Sequence, residues 1–240
     1  MRTSLPIRYL LFPFISIIAT AVTFSGIYMA GYMAGLPPER AALAVGIRDR
    51  AVFSVLIYAL WAAVTAWALV RILRSEGVGL PDLGWRGKLS LEAVGLAALA
   101  AVAAEMLWFP FDAARQTLGI PLYWDPARRG FVQPASTLEF VWIVLAGLIL
   151  VPPAEETMFR GYVLQALEGR IGRLRALLLH NLLFALYHGG IGPGLVLYIF
   201  FWSFFPALLY MRYRSVYPCI LMHFLNNLWT DIAVPLLFLR

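Results

Sequence analysis

Between Ala51 and Val70 the chain runs for 20 residues without one charged side chain. A helix of that length rises about 30 Å, the thickness of a bilayer's hydrocarbon core. Six further runs are long enough or nearly so: Tyr9–Gly35, Leu91–Phe111, Thr137–Leu167, Ala176–His188, Pro193–Met211 and Val216–Leu239. Composition agrees, because only 13% of the 240 residues are charged and 62% are hydrophobic. A soluble domain carries about a quarter charged residues. The expectation is an all-α polytopic membrane protein of about seven transmembrane helices, forming a single integral membrane domain over residues 1–240.

The first run, at 27 residues, is too long for the core of a signal peptide and reads as a retained span. Pro37-Pro38 ends it, and Glu39–Arg50 suits a short interfacial helix. Gly77–Ser90 reads as a loop. Asp112–Ser136 is a polar connection whose Tyr123-Trp124 pair suits a membrane interface, and Gly169–Arg175 is a tight basic turn. Counting Lys and Arg by side puts 12 with the N-terminus and 7 opposite, which predicts a cytoplasmic N-terminus and an external C-terminus. The net charge of +6 comes from 18 Arg and one Lys placed between apolar runs, with no nucleic-acid-binding motif beside them, so nucleic acid is not an expected partner. The lipid bilayer is. That Arg bias points to a GC-rich bacterial source and hence to the inner (plasma) membrane. The lone cysteine, Cys219, excludes an internal disulfide and a multi-cysteine metal site.

Against this apolar background a few polar residues stand out. Glu155, Glu156 and Arg160 sit inside the fourth run. An ionisable side chain in hydrocarbon costs about 2.5–3.5 kcal/mol on insertion scales, so a function is the default expectation. Glu156 and Arg160 are i,i+4 neighbours and can pair, which leaves Glu155 facing elsewhere. His188 ends the fifth run. His223 and Asn227 share a face of the seventh, with Asn226 off it. A structural role is open for each alone: a helix-end histidine, or a His and an Asn as interhelical glue. His180-Asn181 lies near the basic turn and reads as interfacial. The third run carries Glu105.

Depth argues for one site. At 1.5 Å per residue, Glu156 lies about 21 Å from Arg170, His188 about 20 Å from Arg175, Asn227 about 20 Å from Arg214, and His223 about 14 Å. Three spans thus place polar groups at similar depth. A carboxylate desolvated in an apolar pocket makes a better base towards water. A histidine can orient that water or ligate a metal, while a second histidine and an amide can donate to a developing oxyanion. Water-mediated amide hydrolysis fits. No HExxH or GxSxG motif is present. Cys219 and His223, also i,i+4, leave a Cys–His nucleophile pair as one alternative. A transporter is another, though no repeated halves support it.

In order along the chain, Glu155-Glu156-x-x-x-Arg160, Phe184-x-x-x-His188 and His223-x-x-x-Asn227 resemble the motif series of the CPBP family, which comprises CaaX prenyl endopeptidases and bacteriocin-processing or abortive-infection (Abi) membrane proteins. The match covers about Leu148–Trp229. Leu83-Gly84-Trp85-Arg86 resembles a short stretch often found ahead of that core. The resemblance implies an intramembrane protease, with N-terminal spans and loops in 1–136 and a catalytic cavity in the helical core 137–240. Carried over by position, Glu155 activates water with His188 assisting, Glu156 is the second glutamate, Arg160 holds the motif's helix, and His223 with Asn227 stabilises the oxyanion. The substrate implied is a membrane-associated protein or peptide: a prenylated protein, pheromone, bacteriocin or sorting tail. Zinc held by Glu155, His188 and His223 and a metal-free glutamate mechanism are both open. So is a non-catalytic immunity or scaffold protein of the same fold.

Overall fold

The structure, a computed structural model, describes residues 10–15, 18, 22, 33–35, 50–123, 140–141, 144–189, 192–234 and 237. Most of the first expected span, the interfacial helix after it except Arg50, and the connection beyond Tyr123 lie outside the described residues. The described residues are all-helical.

Helix α1 (Arg50–Ser75) and helix α2 (Leu91–Thr117) are joined by a loop holding one 3-10 turn, Leu80–Leu83. Ser90 caps α2, its hydroxyl accepting from the Ala93 amide at 3.1 Å. A long rod over 144–171 follows. It alternates between a π-helical stretch Val144–Leu150, helix α3 (Val151–Glu156), a second π-helical stretch Thr157–Leu164 and helix α4 (Gln165–Ile171). Gly172, at φ +78°, turns the chain into helix α5 (Arg173–Tyr187). Helices α6 (Pro193–Trp202) and α7 (Phe204–Tyr213) come next, then α8 (Tyr217–Asn227) and a last π-helical stretch, Leu228–Ala233. The sixth expected span, Pro193–Met211, is therefore a pair of helices meeting at Ser203.

Two stretches of described helix, Leu91–Thr117 and Pro193–Tyr213, are long and apolar enough to cross a membrane. The apolar window of the first is only 17% buried within the protein. Leu91, Leu99, Val102, Met106 and Phe109 point outward, while Ala93, Ala97, Ala101 and Ala104 face inward. Large side chains outside and small ones inside is the reverse of a water-soluble surface helix, and it is the arrangement a lipid-facing helix presents. The alanine stripe lets α8 pack closely on α2. Around the rod, Phe159, Tyr162, Phe184, Tyr187, Trp202 and Tyr210 form the centre of the core.

The loop between α1 and α2 grips this core. A Cβ at Gly161 would lie 2.4 Å from the Leu83 carbonyl oxygen, so only glycine lets the loop backbone reach the rod. Gly84 holds φ +90°, a left-handed conformation that places its carbonyl to accept from Val216 N–H at 2.9 Å. Trp85 Nε1–H donates to Thr157 Oγ1 at 2.9 Å, Gln165 Nε2 donates to the Asp82 carbonyl at 2.8 Å, and Arg86 Nε donates to the Arg214 carbonyl at 3.1 Å. The loop thus ties the motif's helix to the start of α8. The short Leu83–Arg86 resemblance has a structural task.

Candidate active site

Pro152 and Pro153 open α3 and contribute no N–H to the helical ladder. On either side the rod widens into π-helical turns, which shift the angular positions of successive side chains and recur at functional sites. Thr157 returns its hydroxyl to the Pro153 carbonyl at 2.5 Å. The result is a locally irregular helix with two glutamates almost wholly buried, at 1% and 0% exposure.

Those two carboxylates have different company. Oε1 of Glu156 accepts from Arg160 Nη1 at 3.0 Å and from His223 Nδ1 at 2.8 Å. The i,i+4 pairing expected from spacing is present as a fully buried ion pair. Arg160 is enclosed as well. Its guanidinium carbon lies 4.2 Å from the Phe184 ring centroid and 5.7 Å from that of Trp202, and Nη2 donates to Ser203 Oγ at 2.8 Å. A planar cation lying against two aromatic rings and bonded at two nitrogens has little freedom left.

Glu155 lies on a different side. Its Oε1 is 3.8 Å from His188 Nε2, too far for a hydrogen bond, and has no hydrogen-bond partner among the described residues. His188 follows the last residue of α5, and its Nδ1 bonds the Phe184 carbonyl at 2.8 Å. A carbonyl can only accept, so Nδ1 carries a proton, and in the neutral ring Nε2 presents a lone pair. Oε1 and Nε2 at this spacing can both hydrogen-bond one water molecule. The buried Tyr187 hydroxyl, beside His188, is also without a partner.

Of the seventh-run residues, His223 packs edge-on against Trp202 with centroids 5.0 Å apart, and Asn227 Nδ2 donates to the Gly147 carbonyl at 2.8 Å. The atoms of this pair not engaged in those bonds are His223 Nε2, Asn227 Oδ1 and the second amide N–H of Asn227. Asn226, expected off the face, accepts from Trp202 Nε1 at 2.7 Å. The fold thus brings Glu155 to His188 and gathers Glu156, Arg160 and His223 into one cluster. Asn227 ties α8 back to the first π-helical stretch.

Residues 137–229 match the Rce1-like family, type II CAAX prenyl endopeptidases. This is the family group that the motif series resembles. The Rce1-like segment takes in the whole rod and every motif residue from Glu155 to Asn227, and leaves out α1 and α2. No curated protein and no solved structure matches the chain.

His180 and Asn181, expected near the membrane interface, are both fully buried within the protein. Asn181 Oδ1 accepts from Ser203 Oγ at 3.0 Å and from His180 Nδ1 at 2.9 Å, which joins them to the Arg160 cluster. Depth along the axis, measured from Arg175, hid this. The signal was angular, since His180, Phe184 and His188 recur at i,i+4,i+8 on one face. Cys219 is fully buried, its Sγ 3.2 Å from the Pro206 carbonyl oxygen, a backbone contact that counts against a Cys–His nucleophile pair. A zinc ion held by Glu155, His188 and His223 finds no support in the arrangement, because among the described residues no three His, Cys, Asp or Glu side chains converge as a metal group.

Proposed function

We propose that this protein is an intramembrane endopeptidase that hydrolyses a peptide bond of a membrane-associated protein or peptide. The observation that carries the reading is the Glu155–His188 pair, a buried carboxylate and a part-buried imidazole 3.8 Å apart with an unpaired carboxylate oxygen facing an imidazole lone pair, inside an Rce1-like segment. A water between them gives one hydrogen to Glu155 and the other to His188. Glu155 removes a proton as the water oxygen attacks the substrate carbonyl carbon. The C–N bond then breaks, and Glu155 returns the proton to the leaving amine, so that acid and amine products balance the water consumed.

The negative charge that develops on the carbonyl oxygen needs donors. Asn227 offers its second amide N–H. His223 can donate from Nε2 while Nδ1–H stays on Glu156 only as the imidazolium, and the Glu156 carboxylate is the counter-charge in contact with it. The outward apolar face of α2 supports a bilayer setting for the reaction, and the composition supports a bacterial inner membrane with a cytoplasmic N-terminus. Purified protein in lipid nanodiscs is expected to cleave a membrane-associated peptide substrate, and Glu155→Ala and His188→Ala to abolish cleavage. Wild-type rates in both variants would end the proposal. If alanine at Glu155, His188, His223 and Asn227 leaves the host phenotype intact, the chain is an immunity or scaffold protein instead.

A further inference from the structure

We infer that Ser203 is a positioning residue for His223, acting through Arg160 and Glu156. Its kinetic consequence rests on the proposed function, whereas its structural consequence does not. Ser203 occupies the break between α6 and α7, with both its hydroxyl and its carbonyl oxygen directed at Arg160 Nη2, at 2.8 and 3.4 Å. The same hydroxyl donates onward to Asn181 Oδ1 at 3.0 Å. At the other end of the guanidinium, Nη1 meets Glu156 Oε1, the oxygen that also holds His223 Nδ1. One hydrogen-bonded line therefore runs from α5 through the α6–α7 break and the rod to α8.

The line is directional. Ser203 uses its proton on Asn181 and offers its lone pair to Arg160, so the serine is held at both ends. Ser203 and Arg160 are fully buried, and water cannot replace a missing acceptor there. A guanidinium is rigid and planar, so movement at Nη2 is carried to Nη1. Removing the Ser203 hydroxyl leaves Nη2 only the carbonyl at 3.4 Å, and the guanidinium turns to recover the bond. Glu156 Oε1 then loses its alignment with one of its two donors. His223, otherwise held by an aromatic contact to Trp202, follows Oε1 and swings its Nε2.

The chain has three histidines, so an isotope-labelled imidazole spectrum is simple enough to assign by single substitutions. In Ser203→Ala the His223 ring nitrogens are expected to shift while those of His188 do not, and kcat to fall about 10- to 100-fold with KM unchanged, as loss of one charge-assisted bond in the supporting structure implies. Ser203→Thr retains the hydroxyl and is expected to restore both. If Ser203→Ala does not fold, Asn181→Ala, which removes the acceptor of the Ser203 hydroxyl, is expected to shift His223 in the same direction. Unshifted His223 signals, or equal shifts at His223 and His188, would overturn the inference. Shifted His223 signals in a protein whose wild type cleaves nothing would support it and defeat the protease reading instead.

Discussion

Glu155 and Glu156 are consecutive, equally buried and opposite in circumstance. On the Glu156 side a carboxylate, a guanidinium, a serine, an amide and two histidines are hydrogen-bonded in one network across four helices, although Glu156 Oε2, Arg160 Nε, His180 Nε2 and Asn181 Nδ2 have no partner among the described residues. On the Glu155 side a carboxylate oxygen faces a histidine across a gap wide enough to share a water. A buried hydrogen-bonded network rigidifies its surroundings, and an unsatisfied buried group is costly. The contrast teaches that the pair is divided between frame and working edge. The frame fixes where the edge stands.

That division can be broken from the frame outward. Arg160→Met leaves Glu156 buried without its counter-charge and is expected to cost about 3–5 kcal/mol, read as a large fall in thermal midpoint in detergent or nanodiscs. Gly161→Ala drives a methyl group into the Leu83 carbonyl, for an expected loss of about 1–3 kcal/mol by the same measurement, with the loop between α1 and α2 becoming protease-sensitive. Trp85→Phe keeps the ring against Tyr217 but drops the bond to Thr157, an expected loss of about 1 kcal/mol. Cys219→Ala is expected to leave cleavage unchanged; its loss on that substitution would revive the thiol nucleophile.

The comparison also shows what a one-dimensional reading can reach. Ala51–Val70 and Leu91–Phe111 lie within described helices, because hydrophobic length is a local property of sequence. The Glu156–Arg160 bond was legible for the same reason, as was the separation of Glu155 from it. What escaped depends on tertiary contact. Nothing local marks Ser203 as the junction of α6 and α7, since its backbone stays helical and its carbonyl, which accepts from Ala207 N–H, also faces an arginine 43 residues away. The grip of Leu83–Arg86 on the rod is a matter of one glycine's missing Cβ. The part His180 and Asn181 play in the Arg160 cluster likewise rests on a contact with Ser203, 22 residues from Asn181.

The central claim is that Glu155 is the working carboxylate and Glu156 the framing one. Glutamine replaces either with little change of shape, so paired measurement of stability and cleavage in Glu155→Gln and Glu156→Gln separates the roles. Glu155→Gln is expected to hold or raise the thermal midpoint, since it removes a buried unpaired charge, and to abolish cleavage. Glu156→Gln is expected to lower the midpoint markedly. A Glu155→Gln protein that still cleaves, or equal destabilisation by the two substitutions, would contradict the division.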